Sequence, residues 1–337
     1  MEKYKIVILG DGRIGRAVGV FLKKYIRKAD VSFLKRDSEA RDCRLLVGAL
    51  PGELGEKCLE LALRYKKDLV DISDVDPPFY LRHRGQIERC GITVIPECGF
   101  SPGIVNFIIG RELAVFKHFD SVEVKAGSLS KKKNYFPFLW CFEDLVLEHK
   151  IPSWQLVSGR KKRFPAFSAL REEKFLGIDA ETYFCASGFE HLLSLSGARD
   201  FTCRVIRPRG FKDFFSFLNN YGFLDKKLFA STKGILEAET NDNFTLGEII
   251  IRVRGLKIAW QLSSFSGKKE ELNSMQKITA SAPVIMAKWI VQCGLLKSGL
   301  YFMEDLGRDK NNFNLFLSEI KEFGVRLKRR MIRVKND

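Results

Sequence analysis

The first third of the chain alternates short, almost uninterrupted apolar runs with stretches in which hydrophobic residues recur at every third or fourth position. The apolar runs predict buried strands at 4–9, 31–34, 45–50, 68–72 and 92–95. The recurrent pattern predicts helices between them, of which the first carries along one face Ile14, Val18, Phe21, Leu22 and Tyr25. The second helix has on its apolar face Leu54, Cys58, Leu61, Ala62 and Tyr65. Repeated strand–helix units of this kind indicate an α/β fold with a doubly wound parallel sheet.

One spacing departs from this regular alternation. Only ten residues separate the predicted strands at 31–34 and 45–50. They are too few for the helix, strand and helix that a doubly wound half ordinarily contains there. The sequence therefore predicts that the third strand is missing and that a short helix or loop carries the chain back.

After about residue 118 the pattern changes to strands of alternating polarity. Such strands are predicted at 122–127 and 201–206, and a hairpin joins 247–254 to 257–262 across Gly255-Leu256. Helical patterns occupy about 212–222, 278–293 and 312–323. We therefore expect one domain at 1–118 and a second, α+β domain with a mixed or antiparallel sheet at 119–337. The C-terminal helices could pack back on the first domain.

Composition excludes several classes of protein. No apolar run is long enough to cross a membrane, and the chain enters a charged, foldable strand at once, so neither a membrane span nor a signal peptide is expected. Eight scattered cysteines without a C-x-x-C motif indicate a reducing, cytoplasmic setting and no metal site. The net charge of +16 includes separate short basic runs at 131–133, 160–163 and 328–330. We interpret them as a solvated basic surface that attracts anionic ligands, and not as a nucleic-acid site.

The turn Gly10-Asp11-Gly12-Arg13-Ile14-Gly15 follows the first predicted strand directly and opens the first helix. This is the context that the dinucleotide fingerprint G-x-G-x-x-G requires. In that motif Gly10 allows the tight turn, Gly12 lets the backbone approach a pyrophosphate, and Gly15 lets the helix pack on the strand. The sequence thus predicts a Rossmann-type domain with Arg13 and Ile14 also at the cofactor. The alternative is a purely structural glycine turn.

The residues after the second strand bear on which dinucleotide binds. NAD-binding folds place an acidic residue there for the ribose 2′-hydroxyl, whereas this chain has Lys35-Arg36. Because a cationic pair attracts a 2′-phosphate, the sequence favours NADP(H), with NAD(H) as the alternative. A solvated loop would carry the same residues without any such role.

Several segments together resemble the saccharopine dehydrogenase-like family, and within it the lysine 6-dehydrogenases most closely. The residues that carry the resemblance are Gly48-Ala49-Leu50-Pro51-Gly52, Leu69-Val70-Asp71-Ile72-Ser73 and Glu97-Cys98-Gly99-Phe100-Ser101-Pro102-Gly103-Ile104-Val105-Asn106, with weaker likeness over nearly the whole chain. The resemblance implies a second domain that holds the substrate and forms a homodimer. It also implies hydride transfer at an amine-bearing carbon of an amino acid, as amine oxidation or imine reduction.

The carboxyl ends of parallel strands meet at the ligand crevice, which gives the first domain its candidate site residues. We expect Leu50 and Pro51 to shape the cofactor site, and Asp71 and Ser73 to bond cofactor or substrate. The alternatives are an ordinary turn for the first pair and a cap on the next helix for the second. Glu97, with Asp71, is the candidate for proton transfer; Glu97 could instead bond the turn at Gly99.

In the second domain Arg207 is the candidate for holding the substrate carboxylate, and the alternative is a surface arginine among many. His149 is the candidate for lining the pocket, and the alternative is a half-buried histidine without that role. Thr279, expected near a helix start, would touch the substrate or cap that helix. The chain departs from its relatives at Ser187-Gly188-Phe189-Glu190, where two charges common among them are lost. The glycine turn and the resemblance together predict an NAD(P)-dependent oxidoreductase, and the resemblance implies that it acts on a C–N bond of an amino acid. The alternative is a non-catalytic NADP(H)-binding protein of the same fold.

Overall fold

The computed structural model describes residues 3–132, 135–136, 138–186, 188–237 and 242–334. Lys133 and Ser187, both in segments named above, lie outside the described residues. Up to residue 117 the elements are β1 Tyr4–Leu9, α1 Arg13–Tyr25, β2 Ala29–Phe33, a 3₁₀ helix Asp37–Asp42, β3 Leu45–Gly48, α2 Gly52–Tyr65, β4 Asp68–Asp71, α3 Pro77–Cys90, β5 Thr93–Ile95 and α4 Ile104–Phe116.

The rest of the chain is richer in strands. Its elements are β6 Ser121–Ser130, α5 Phe142–Glu148, β7 Ser153–Val157, β8 Arg160–Phe164, β9 Arg171–Phe175, β10 Ile178–Phe184, α6 Glu190–Leu195, β11 Asp200–Pro208, α7 Phe211–Asn220, α8 Phe229–Leu236, β12 Asn243–Val253, β13 Leu256–Ser266, α9 Ser274–Lys288, a π-helical turn Trp289–Cys293, β14 Gly299–Leu300, α10 Met303–Arg308, α11 Lys310–Glu319, a 3₁₀ helix Ile320–Phe323 and β15 Arg326–Arg333.

The chain forms two compact units. The first contains Met1–Lys117, Gly188–Ser194 and Gln276–Phe323, and the second contains the segments between and after them. The first unit thus takes in residues 276–323, which the sequence analysis assigned to the second domain.

No helix among the described residues is long and apolar enough to cross a membrane.

The sheet of the first unit is parallel throughout, in the order β14-β5-β4-β3-β1-β2. On one face, strand residues Val7, Leu46 and Leu69 are buried in one core with Ala62 of α2 and Ile87 of α3. On α1, an added Cβ at Gly19 would lie within 3.4 Å of Ile8 and Phe33, so this helix packs closely on β1 and β2. The predicted doubly wound parallel sheet is confirmed.

The missing third strand is also confirmed, because β2 ends the sheet and the 3₁₀ helix Asp37–Asp42 returns the chain to β3. Two details differ from the sequence pattern. Leu54, expected on the apolar face of α2, lies in the first turn of that helix and is 57% exposed. The sixth strand, β14, has only two residues and carries no recognisable period.

The second unit contains a nine-stranded sheet whose main path is β15-β13-β12-β6-β11-β10-β9. It is mixed, since β6 and β11 run parallel while the other pairings are antiparallel. The predicted hairpin is present, but its turn is Arg254-Gly255, one residue before the expected pair. Both residues have positive φ, +49° and +73°, as a two-residue turn between twisted strands requires.

Candidate active site

The glycine turn between β1 and α1 is held against the neighbouring strand end. Gly10 has φ +113°, and a Cβ added there would lie 2.3 Å from the carbonyl oxygen of Ala49. A Cβ on Gly15 would lie 2.1 Å from the carbonyl oxygen of Gly10. Neither position can accept a side chain without backbone movement, so these two glycines build the turn itself.

Gly12 differs from its two neighbours in the motif, because a Cβ added there would meet nothing within 4 Å. It is the residue before α1, in extended conformation, and no side chain caps the helix there. The first turn of α1 has no acidic residue that would repel an anion. Open space beside an uncapped helix N-terminus fits the pyrophosphate of a dinucleotide.

The loop after β2 contains one contact that the sequence analysis missed. Lys35 and Arg36 are exposed, as a role at a ribose phosphate requires. The backbone amide of Lys35 donates a 2.8 Å hydrogen bond to Oε2 of Glu39, and this bond lowers the pKa of Glu39. A carboxylate of the chain therefore already accepts from this amide.

At the end of β4, Asp71 organises the neighbouring strand ends. Its Oδ1 accepts from the amide of Ser73 at 2.8 Å, and its Oδ2 accepts from the Tyr80 hydroxyl at 2.8 Å. Ser73 Oγ in turn accepts from the amide of Leu50 at 3.2 Å. Burial raises the pKa of the Asp71 carboxyl. Both oxygens of Asp71 are thus engaged in fixing the ends of β3 and β4.

Glu97, two residues after β5, is a buried carboxylate in an unusual backbone conformation. Its φ is +51°, in the left-handed region, which costs a non-glycine residue about 1 kcal/mol or more. Its side chain is 5% exposed, and its oxygens, including the fully buried Oε2, accept no hydrogen bond from the described residues. It therefore does not bond the turn at Gly99. Burial, and then the charges of Glu304 and Glu190, raise its pKa well above the ordinary value.

A second buried carboxylate, Glu304, lies in α10 of the same unit and is fully bonded. Its Oε1 lies 2.5 Å from Nδ1 of His191, and its Oε2 accepts from Nδ2 of Asn106 at 3.2 Å. Asn106 is itself fixed, because its Oδ1 accepts from the amide of Gly103 at 3.1 Å. The His191 ring stacks on Phe302 with centroids 4.3 Å apart.

The sequence analysis missed Glu304 and His191. Their only signal was one acidic residue inside the apolar stretch Phe302-Met303-Glu304-Asp305-Leu306 and one histidine in a short helix far along the chain. The turn that supports Asn106 lies in the segment that carries the family resemblance. In the structure Gly103 has φ +129°, and a Cβ added there would lie 2.0 Å from the carbonyl oxygen of Gly99. Long-range pairing of buried polar groups cannot be deduced from one sequence.

In the second unit, Arg207 ends a buried run of β11 and is only 7% exposed. Its Nη2 lies 3.8 Å from Oε2 of Glu148, and its guanidinium lies 5.6 Å from the ring centre of Phe211. Its Nε is buried and donates to no described residue. A guanidinium with an unused donor in an apolar setting can bind a carboxylate.

His149 is fully buried and not half-buried. Its Nδ1 lies 2.8 Å from the Leu145 carbonyl oxygen and its Nε2 lies 2.9 Å from the Tyr183 hydroxyl. Burial, and then the charge of Arg207, lower its pKa to about 3, so the ring is neutral. Glu148, His149 and Cys185 have ligand atoms within 4.8 Å of one another. They fit a metal ion poorly, because both ring nitrogens are bonded and a guanidinium already faces the carboxylate.

Thr279 does not lie at a helix start. Helix α9 begins five residues earlier, at Ser274, so the alternative that Thr279 caps this helix is wrong. Within the first unit its methyl group faces Gly99, at 3.6 Å from an added Cβ. The boundary was misplaced because Asn273-Ser274, the actual start, precedes a polar first turn that breaks the apolar period.

No protein-family model matches the sequence. Among solved structures, the chain is similar to apo histidine-tagged saccharopine dehydrogenase (L-Glu forming) from Saccharomyces cerevisiae, with a TM-score of 0.77 and 14% identity over 98% of this chain and 100% of that chain. Aspartate dehydrogenase from Thermotoga maritima gives a TM-score of 0.41 at 10% identity, over 86% of this chain and 98% of that one. The second likeness is too weak to carry an argument. The first shows that this chain is similar in fold, over nearly its whole length, to saccharopine dehydrogenase.

Proposed function

We propose that the protein is an NAD(P)-dependent oxidoreductase that acts on a C–N bond of an amino acid. The observation that carries the proposal is the open space at Gly12, set between two glycines that build the turn at the carboxyl end of β1. An uncapped helix N-terminus at that point suits a pyrophosphate. A bound nicotinamide coenzyme would supply the hydride acceptor or donor. The similarity in fold to saccharopine dehydrogenase supports the reaction class.

We further propose NADP(H) as the preferred coenzyme. Lys35 and Arg36 are exposed after β2, where the adenosine ribose lies in this type of domain. Their positive charges would attract a 2′-phosphate, and an acidic residue at the same position would repel it.

Chemistry at a C–N bond requires a group that takes or gives the nitrogen's proton. Glu97 suits this task, because it is buried near the carboxyl edge of the sheet and has oxygens free of hydrogen bonds from the described residues. Asp71 would support it by fixing the strand ends, since its own oxygens are engaged by Ser73 and Tyr80.

Arg207 would hold the substrate carboxylate through its unused Nε donor. The neutral His149 and the rings around it would make an apolar wall beside it, with Phe167 at 5.2 Å and Phe215 at 5.0 Å from the imidazole. Assembly as a homodimer stays a prediction.

The test follows nicotinamide absorbance in two sets of reactions. One combines the protein with NADP⁺ and single diamino acids, and the other combines it with NADPH and pairs of an amino acid with an aldehyde or keto acid. We expect turnover in at least one set, and its loss in Glu97→Gln with coenzyme affinity retained. Coenzyme binding without turnover in any reaction would favour a non-catalytic NADP(H)-binding protein instead.

A further inference from the structure

Glu97 and Glu304 are two buried carboxylates of the first unit with opposite hydrogen-bonding states. We propose that Glu304, held by His191 and Asn106, is a positioning residue that keeps Glu97 protonated, so that Glu97 gives its proton to the imine nitrogen when an imine is reduced. The proposal rests on the function proposed above. It adds the part that Glu97 plays in imine reduction and three further residues: Glu304, which acts on Glu97, and His191 and Asn106, which hold Glu304.

Glu304 is a buried carboxylate held at both oxygens. Its side chain is 0% exposed, and each carboxylate oxygen faces its own nitrogen, Nδ1 of His191 and Nδ2 of Asn106. Because Gly103 donates to Asn106 Oδ1, the amide group of Asn106 is oriented with its nitrogen toward Glu304. Both oxygens of Glu304 therefore have their own partner, in contrast to Oε2 of Glu97.

Glu97 has the opposite environment. Its Oε2 is buried and accepts from no described residue, so an ionised Glu97 would be a second buried anion without a donor. Such a group takes up a proton, since burying an unpaired charge costs several kcal/mol. A Cβ on Gly188 would lie 3.4 Å from Glu97 Oε1, which shows how closely the segment of Glu190 and His191 approaches this carboxyl.

The titratable groups around Glu97 come from three segments of the first unit. They are Asp74, Asp76 and Tyr80 after β4, Glu190 with His191, and Glu304 in α10. The carboxylates among them oppose a negative charge on Glu97. Of these neighbours, Glu304 raises the pKa of Glu97 most. His191, the base of the group, is engaged with Glu304. Burial and the surrounding carboxylates therefore both raise the pKa of Glu97.

The chemical step balances with these groups. The O–H bond of protonated Glu97 breaks as an N–H bond forms on the imine nitrogen. A bound reduced nicotinamide coenzyme would supply the hydride to the imine carbon. The products are the amine, the oxidised coenzyme and ionised Glu97. Next to Glu304 that anion is unfavourable, so Glu97 regains a proton from water and the site is reset.

The test measures protonation of Glu97 without any substrate. Infrared difference spectra between the wild type and Glu97→Gln isolate the carbonyl band of the protonated Glu97 carboxyl, which is followed against pH. We expect the band in the wild type at neutral pH. In Glu304→Gln we expect its midpoint to fall by about one pH unit or more, because a nearby negative charge is removed. Glu304→Asp keeps the charge, and its midpoint should stay near that of the wild type.

Glu319 offers a matched control, because it is a buried glutamate of the same unit whose two oxygens accept from Lys288 and Trp289. Glu319→Gln should leave the Glu97 midpoint unchanged. Absence of the protonated band at neutral pH, or an unmoved midpoint in a Glu304→Gln protein with wild-type NADPH affinity, would overturn the proposal. Failure of the proposed function is a separate result. In that case the wild type does not bind NADPH, while the carbonyl band of Glu97 can still be followed against pH.

Discussion

Replacing Gly12 by valine should weaken coenzyme binding by about a hundredfold or more while leaving the fold intact. The backbone at Gly12 has φ −65° and ψ −177°, a conformation open to any residue, and its Cβ would meet no atom within 4 Å. The new side chain would therefore fill only the space that the proposed pyrophosphate needs. A hydrogen bond from a backbone amide to a charged group contributes about 1.5–3 kcal/mol. Loss of two such bonds weakens binding by about a hundredfold or more.

The assay is energy transfer from tryptophan to the bound nicotinamide of NADPH, with thermal melting as the measure of stability. Gly234→Val is the matched control, because Gly234 likewise has nothing within 4 Å of an added Cβ and lies in α8 of the other unit. We expect the control to bind NADPH like the wild type. Wild-type affinity in a folded Gly12→Val protein would refute the assignment of the glycine turn.

The other predictions concern the coenzyme, the substrate and the buried histidine. Lys35→Asp should lower NADPH affinity about tenfold and shift preference toward NADH, because a carboxylate repels the 2′-phosphate; equal effects on both coenzymes in fluorescence titrations would contradict the ribose assignment. Arg207→Met should raise KM for the amino-acid substrate at unchanged coenzyme affinity, whereas the same change at Arg209, whose side chain is 60% exposed, should not alter KM in steady-state assays. His149 has a folded pKa of about 3 against an ordinary 6.5, so its contribution to stability is complete above pH 6.5 and is lost as pH falls toward 3. At pH 5 the free energy of unfolding, measured with urea, should be about 2 kcal/mol lower than at neutral pH. The same dependence on pH in His149→Gln would show that another group causes the loss.

The sequence predicts the parallel-sheet half of the fold well because its signals are local. A glycine turn, apolar strands and helical periods are each complete within a few residues. The ten residues between the predicted strands at 31–34 and 45–50 are enough to predict the missing strand. The hairpin of β12 and β13 is found for the same reason, with a one-residue error at Arg254 where a positive φ in a non-glycine residue gives no clear signal.

The remaining features depend on contacts between distant segments. Glu304 bonds Asn106 across 198 positions of the chain and His191 across 113, and no local pattern marks such a pairing. Strand β14 pairs with β5 through two residues only. The sequence can name Glu97 as a candidate from its position after a strand, but not that Glu97 is strained, buried and without a hydrogen-bond donor.

Coenzyme binding at the glycine turn and protonation of Glu97 can be tested independently of each other. The Gly10–Gly15 turn could bind a dinucleotide in a protein that transfers no hydride, whereas a protonated Glu97 has a use only if an imine reaches it. Coenzyme binding and Glu97 titration are therefore separate measurements, and both can be made before a substrate is known.

The most direct test of the central claim is a crystal structure of the protein with NADPH. The account predicts the pyrophosphate within hydrogen-bonding distance of the amides that follow Gly12, with the 2′-phosphate beside Lys35 and Arg36. A dinucleotide bound elsewhere, or a turn at Gly10–Gly15 covered by the protein's own side chains at saturating NADPH, would contradict it.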